Sequence, residues 1–338
     1  MPTVYLLGAG FSRAISNEMP MMNALSAAVQ AKVPGIPGSA TAIAKNFEQW
    51  LSYLVDAPPW LSPGDQMRNH AAFSDVARAV HEVLDECQTS AVVHDSCPGW
   101  LPKLVRHWQA TEATVITFNY DLLVELAWSI EVARGSFDET QLYPIPLTSI
   151  AARTGAVLGG SFPAAGLQLL KLHGSLDWRY TGPGSPPGDT IYSLGWGGGS
   201  HGWSLEGVLS QYDDADLLSA DRDPMIVPPT AVKSGYYNNR TLRSLWMKAA
   251  EALATADELV LMGFSLPVTD LIVGSMLSTN LPDDAGIVPV DFGDAVVQRV
   301  VDVFGLNGVD DDRLVDTYAG LGEDAIPKWV ERFANPGP

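Results

Sequence analysis

Cysteine is almost missing from the sequence: Cys87 and Cys97 are the two thiols in 338 residues. Two cysteines build neither a disulfide framework nor a four-cysteine zinc site. His94 lies near both, but structural zinc wants four ligands, and Cys87 falls within a helical apolar pattern, so a buried thiol is the reading and no metal is expected. Positive charge is also scarce. The chain has 20 Lys and Arg against 39 Asp and Glu, a formal net charge of −19. Nucleic-acid binders hold phosphates with clustered Lys and Arg, so no direct nucleic-acid binding is expected. A phosphate bound here would rest mainly on backbone amides and on single arginines such as Arg13. No apolar run is long enough to cross a bilayer, and the N-terminus has no signal pattern of basic, apolar and small residues. A soluble cytoplasmic protein without membrane association is expected.

What the chain does have is an apolar run that breaks into glycine. Val4-Tyr5-Leu6-Leu7 leads straight into Gly8-Ala9-Gly10, followed by Phe11-Ser12-Arg13. A buried strand entering a glycine turn and then a helix leaves N–H groups at the helix start, which favour a phosphate. Glycine lets the backbone approach a ligand because no Cβ intervenes. The third glycine of the full dinucleotide fingerprint is absent, so the turn alone also suits a tight strand-to-helix connection with no ligand.

Further along, residues 12–30 read as helical with a break near Pro20. Three apolar stripes follow: Ile43/Phe47/Trp50/Leu51/Leu54, then Phe73/Val76/Val80/Val83/Leu84/Cys87, then Leu101/Leu104/Val105/Trp108. A βαβ crossover needs one helix, so residues 31–110 read as a helical insert lying over the glycine turn. Strands are expected at 113–118, 167–172, 225–227, 258–262 and 287–290, with helical stripes between them. Residues 135–166 read as a long connection, 181–222 as an irregular Gly/Pro-rich insert, and 311–338 as a C-terminal extension. Alternating strands and helices predict an α/β fold, a doubly wound parallel sheet of about six strands carrying the helical insert. The sheet domain takes residues 1–30, 111–180 and 223–310.

Gly8-Ala9-Gly10, Asn119-Tyr120-Asp121, His173-Gly174-Ser175 and Gly263-Phe264-Ser265 each fall just after an apolar β run. In an open parallel sheet the ligand sits beyond the carboxyl ends of the strands, so these turns converge on one crevice. Each polar residue keeps a plainer alternative. Asn119 and Asp121 suit helix caps, and His173 suits a hydrogen-bonded core histidine. Ser265 and Asp270 suit turn and cap positions, the reading favoured for Asp270.

The ordered set Gly8-Ala9-Gly10-Phe11-Ser12, Thr117-Phe118-Asn119-Tyr120-Asp121, Lys171-Leu172-His173-Gly174-Ser175 and Gly263-Phe264-Ser265-Leu266-Pro267-Val268-Thr269-Asp270 resembles the sirtuin superfamily. It looks most like the prokaryotic sirtuin-like NADase branch of anti-phage defence. Val227-Pro228-Pro229-Thr230 with Lys233 resembles that branch as well. The resemblance implies a sirtuin-type Rossmann-like sheet that takes NAD as its substrate. It places Gly8, Ala9, Gly10, Phe11 and Ser12 at the pyrophosphate, with Arg13 close by. Asn119 and His173 match the catalytic asparagine and histidine, with Thr117 and Asp121 beside them. Gly263 and Ser265 fall on the phosphate and adenosine side, and Asp291 on the adenine ribose. Two departures stand out. The four cysteines of the deacetylases' zinc ribbon are missing, which argues against lysine deacylation. The stretch Glu18-Met19-Pro20-Met21-Met22-Asn23 keeps only the proline of the family's nicotinamide-holding run.

The residue types suit the implied chemistry. Cleaving the nicotinamide–ribose bond builds oxocarbenium-like charge on the sugar. Nicotinamide leaves as a neutral group, so the site needs a positioned water and a proton acceptor more than a strong acid. The expectation is an NAD hydrolase with His173 as base and Asn119 holding water or ribose. Because it would deplete its own cell's NAD, control by homo-oligomerisation or a regulatory partner protein is expected. An NAD-dependent deacylase or ADP-ribosyltransferase, and a non-catalytic NAD or ADP-ribose sensor, stand as alternatives.

Overall fold

The computed structural model describes residues 2–56, 58–133, 142–145, 147–149, 166–182, 184–194, 203, 205, 222–231 and 233–334. Most of the connection expected over 135–166 and of the insert expected over 181–222 lies outside the described residues.

The first strand, β1 (Thr3–Leu7), buries every residue from Val4 to Leu7. This continuous burial is what a central parallel strand requires, because both of its faces are covered. It leads into α1 (Ala9–Ile15), α2 (Met22–Lys32), α3 (Phe47–Val55), α4 (Pro63–His94) and α5 (Leu101–Ala110). Then come β2 (Thr114–Thr117), α6 (Leu123–Trp128), β3 (Thr148–Ser149), β4 (Gln168–Lys171), β5 (Gly174–Tyr180), β6 (Tyr192–Ser193) and β7 (Asp223–Ile226). The last third contains α7 (Ser234–Tyr237), α8 (Arg240–Leu253), β8 (Glu258–Met262), α9 (Leu271–Asn280), β9 (Gly286–Asp291), α10 (Ala295–Phe304), β10 (Tyr318–Ala319) and α11 (Ala325–Ala334).

Six strands form one parallel sheet in the order β10-β9-β8-β1-β2-β4, flanked by helices. Leu7 pairs with Thr117 on one side and with Met262 on the other. The chain winds outward from β1 through β2 and β4, then returns to build β8, β9 and β10 on the opposite side. The strand order reverses direction between β1 and β8, so the topological switch point lies between these two strands.

The expected six-strand count holds, but one of its members is replaced by another. Residues 223–226 form β7 in a second sheet, of order β3-β6-β5-β7, where β7 pairs antiparallel with β5. The physical cause lies at Gly174, with φ of +85°, where a Cβ would stand 1.9 Å from the Met225 carbonyl oxygen. This glycine turns the chain out of the parallel sheet directly after His173 and lays β5 against β7. The sixth parallel strand comes instead from Tyr318–Ala319, two residues inside the expected C-terminal extension. A strand that short, with Gly320 and Gly322 behind it, carries no alternating pattern to read.

The apolar stripes fold as amphipathic helices. In α3, Phe47, Trp50, Leu51 and Leu54 are buried, and in α5 Leu101, Leu104, Val105 and Trp108. Ser62 caps the N-terminus of α4 by accepting the Asp65 N–H, and Pro63 opens its first turn. At 32 residues α4 is about 48 Å long. It packs on α2 and α3, and also on β5 and β7. Trp100 and Trp108 close over Phe11 behind α1. Cys87 and Cys97 are free thiols, and burial pushes Cys97 up to about 11. Among the described residues no helix is long and apolar enough to cross a membrane.

Candidate active site

At the switch point the glycines meet one another. Gly8 N–H donates to the Met262 carbonyl at 3.1 Å, and Gly10 N–H to the Gly263 carbonyl at 2.9 Å. A Cβ on Gly8 would lie 2.6 Å from that same Gly263 oxygen, and one on Gly10 would lie 2.9 Å from Gly263 Cα. Gly263 itself has φ of +57°, and its Cβ would fall 2.2 Å from the Phe11 nitrogen. The turn after β1 and the turn after β8 thus touch backbone to backbone, which side chains would forbid. This changes the reading of the motif. The N–H groups of Gly10 and Phe11 are not left free at the helix start, because Phe11 N–H donates to the Gly8 carbonyl at 2.8 Å. Ala9 is exposed at the opening, whereas Phe11 is buried between Trp100 and Trp108. Arg13 turns away, its guanidinium donating to the carbonyls of Asn17 and Met19.

The end of β2 delivers the polar centre. Ser12 Oγ donates to Asp121 Oδ2 at 2.6 Å, and both side chains are buried. A carboxylate only accepts, so the Ser12 hydrogen points to Asp121 and the oxygen is left as an acceptor. Asn119 Nδ2 donates to that oxygen and to the Gly8 carbonyl, each at 2.8 Å. Two acceptors on one side fix the amide orientation. The NH2 faces inward and Oδ1 faces away, with no partner for it among the described residues. Thr117 Oγ1 accepts the Asn119 N–H at 3.1 Å, and Asp121 Oδ1 accepts the Leu123 N–H at 3.3 Å. Asp121, just ahead of the Leu122 cap position, therefore receives the first N–H of α6 and also anchors the network.

His173, at the end of β4, is 6% exposed. Its ring lies 4.8 Å from the Phe118 ring and 6.3 Å from that of Trp246. Its carbonyl accepts the Val227 N–H, and its Nε2 stands 3.5 Å from the Tyr237 hydroxyl, the outer edge of hydrogen-bond reach. Burial first, then the nearby Lys233 ammonium, hold its pKa well below the usual histidine value. Burial, with the Asp270 charge second, pushes the phenols of Tyr120 and Tyr237 upward, so both stay protonated.

Asp270 occupies the cap position of α9 but makes no cap bond there. Its carboxylate instead accepts from Lys233 Nζ at 2.6 Å, an ion pair with 7% and 11% side-chain exposure. The expected capping role gives way because a buried ammonium needs a counter-charge more than an exposed helix end needs an acceptor. The loop from Phe264 to Asp270, with α9 and α10, also lines a cleft of about 260 Å³, whose Phe264 packs on Phe118 beside His173. Ser265 is exposed, and its carbonyl accepts from Arg299. Asp291, at the end of β9, accepts the Gly293 N–H at 3.1 Å, and burial raises its pKa.

Reasoning from the sequence passed over Glu125 and Tyr237 and gave Lys171 no role of its own. Lys171 is wholly buried and donates to Glu125 Oε1 at 2.8 Å, where Tyr143 also donates at 3.0 Å. The available signal was a lysine inside the otherwise apolar run at the end of β4, a position where charge is rare unless paired. Nothing in the Tyr236-Tyr237 pair marks the second ring for the site. Among the described residues no group of three or more His, Cys, Asp or Glu side chains is placed to hold a metal ion.

No protein-family model matches the chain, and no curated protein matches it. Solved structures do. A structure described as showing the mechanism and regulation of Sir2 enzymes is 14% identical, over 98% of this chain and 92% of that one, with a TM-score of 0.45. A Sir2 mutant with a p53 peptide and NAD is 12% identical, over 100% and 94%, with a TM-score of 0.45. A Sir2 complex with an inhibitor, 2'-O-acetyl-ADP-ribose and a deacetylated p53 peptide is 14% identical, over 98% and 91%, with a TM-score of 0.42.

Proposed function

We propose that the chain hydrolyses NAD at the nicotinamide–ribose bond, releasing nicotinamide and ADP-ribose. In the setting that the ordered motifs resemble, it acts as an NAD-depleting effector of anti-phage defence, controlled by self-assembly or a regulatory partner protein. The observation that carries the activity is the pairing of two groups at neighbouring strand ends. Asn119 presents a fixed amide oxygen, and His173 is held neutral beside Tyr237.

In this reading NAD crosses the switch-point crevice. Gly8, Ala9, Gly10 and Ser12 face its pyrophosphate, Gly263 and Ser265 its adenosine side, and Asp291 its adenine ribose. Phe11, Thr117, Asp121 and Arg13 act from behind, through the packing and hydrogen bonds described above. The bond from C1′ to the nicotinamide nitrogen breaks, and its electron pair goes to nicotinamide, which leaves neutral. The sugar carries the positive charge until a water oxygen bonds to C1′. Asn119 Oδ1 accepts a hydrogen bond from that water or from a ribose hydroxyl, and the neutral imidazole of His173 takes the water's proton. An imidazole already protonated could not do so, so the burial and the Lys233 charge that keep it neutral serve the step.

The test is NAD consumption by purified protein across a concentration series, for wild type, Asn119→Ala and His173→Ala. Wild type releasing ADP-ribose, with both variants at least 100-fold slower, supports the reading. Nicotinamide release that requires an added acylated peptide would replace it with a deacylase. Binding of NAD without turnover in any assembly state would replace it with a sensor.

A further inference from the structure

The segment between β2 and α6, residues 118–122, has no regular secondary structure, yet it aims the Asn119 amide. Its backbone polar groups must find partners, since buried amides and carbonyls left unpaired are costly. The Phe118 N–H donates to the Leu7 carbonyl and the Tyr120 carbonyl accepts the Leu176 N–H at 3.0 Å, and two buried side chains from elsewhere add further partners. Lys171 Nζ donates to the Asp121 carbonyl at 2.6 Å and to the Tyr120 carbonyl at 3.2 Å, and its third donor meets Glu125. From α4, Gln88 Oε1 accepts the Leu122 N–H at 3.1 Å, while Gln88 Nε2 donates to Asp85. Lys171 is 0% exposed and Gln88 is 1% exposed.

We propose that Lys171 and Gln88 are positioning residues, which clamp the Asn119–Leu122 turn from two sides and so set where the Asn119 oxygen points. An ammonium suits the task because it offers three donors in a tetrahedral spread, two for carbonyls and one for the balancing carboxylate. A guanidinium presents a planar fork that does not match those three acceptors. A buried ion pair rarely adds stability over an apolar pair of similar volume, so its presence here is accounted for by geometry. Gln88 also ties the long helix α4 to the turn. Two further bonds tie the same helix region to its surroundings, from His81 Nε2 to the Leu176 carbonyl in β5 at 2.8 Å and from Ser16 Oγ, just after α1, to Asp95.

The role in catalysis rests on the proposed NAD hydrolysis, whereas the clamp itself does not, and one experiment separates the two. Lys171→Met combined with Glu125→Gln removes the cation without leaving a buried carboxylate unpaired, and Gln88→Leu removes the other side of the clamp alone. Each full-length variant is compared with wild type by hydrogen–deuterium exchange of the peptide spanning 117–123 and by steady-state NAD hydrolysis. Exchange in that peptide is expected to rise at least 10-fold while the core of β1 and β8 stays protected. The kcat is expected to fall about 10- to 100-fold with KM changed less than about 3-fold, since a misplacement near 1 Å costs that much in rate. Exchange unchanged in both variants overturns the clamp. Faster exchange with unchanged kcat overturns its catalytic role. If wild type does not consume NAD, the hydrolase reading fails and the exchange result still decides the clamp. If the double variant does not fold, Gln88→Leu decides it.

Discussion

Gly263→Ala tests the backbone contact at the switch point. The new Cβ would stand 2.2 Å from the Phe11 nitrogen and 2.4 Å from the Gly10 carbonyl carbon, where ordinary contact begins at 3.4 Å. One turn must therefore retreat by about 1.2 Å, which breaks the Gly10-to-Gly263 hydrogen bond. Left-handed backbone costs an alanine about 1 kcal/mol, crowding in a close-packed region about 1–3, and the lost bond about 1. The sum is about 3–5 kcal/mol, which for a chain of this size lowers Tm by about 4–7 °C. Gly305 provides the control, because it has φ of +61° but nothing within 4 Å of its would-be Cβ. Gly305→Ala should show the backbone cost alone, about 1 kcal/mol. Thermal melts of the two variants by circular dichroism measure the difference. Equal melting shifts would refute the view that Gly263 is required by the meeting of the two turns. A Gly263→Ala protein with normal NAD turnover would refute the link between that meeting and the site.

Other outcomes follow from the same geometry. Because burial and Lys233 hold His173 well below the usual histidine value, the acidic limb of kcat/KM should lie below pH 6.5, and Lys233→Met should move it upward by removing the repelling cation; a limb at or above 6.5 in wild type contradicts this. His81 and His173 are both depressed in the folded state, chiefly by burial, so the unfolded chain binds more protons as pH falls below about 6.5. Stability should then fall by up to about 1.4 kcal/mol per pH unit for each, and a urea midpoint unchanged from pH 7.5 to 5.5 would rule it out. Ser12→Ala removes the hydroxyl between Asn119 and Asp121, so the Asn119 amide loses one of its two fixed acceptors. Its kcat should fall about 10-fold with little change in KM, and steady-state kinetics showing a KM effect alone would place Ser12 in binding instead.

The strand ends were legible because they depend on short-range pattern. Val4–Leu7, Thr114–Thr117 and Glu258–Met262 are continuous apolar or β-branched runs that stop at Gly or Asn, and each became a strand with its motif at the carboxyl end. Asn119 and His173 were singled out as candidates through that placement. The structure bonds Asn119 to the Gly8 carbonyl, while the His173 ring packs on Phe118, whose own ring meets Phe264 after the Gly263 turn. What could not be read were relations between distant segments. The partner of β7 depends on how Gly174 redirects the chain, and the sixth strand is two residues long. Lys233 finds Asp270 across 37 positions, and Lys171 reaches back 46 positions to Glu125. No local periodicity encodes such pairings. Asp270 was misjudged for the same reason, since a carboxylate at a helix start looks like a cap until a buried cation is known to stand beside it.

The charges around the crevice sharpen what the glycine turn does in so acidic a chain. Lys171 is matched by Glu125, Lys233 by Asp270, Arg13 by the carbonyls of Asn17 and Met19, and Arg299 by the Ser265 carbonyl. Each of these cations already serves an internal acceptor, and two of them fasten loops that carry candidate site residues. Positive charge is used here to hold backbone in place. The glycines play the matching part, for they bring the two turns so close that Gly8 and Ser12 become ligands of Asn119. In the proposed reaction the developing charge on the sugar is positive, so a site whose two buried lysines are each paired with a carboxylate, and whose amide oxygen faces outward, suits an oxocarbenium better than one lined with free ammonium groups. The scarcity of Lys and Arg that argued against nucleic acid is, on this view, consistent with the chemistry at Asn119 and His173.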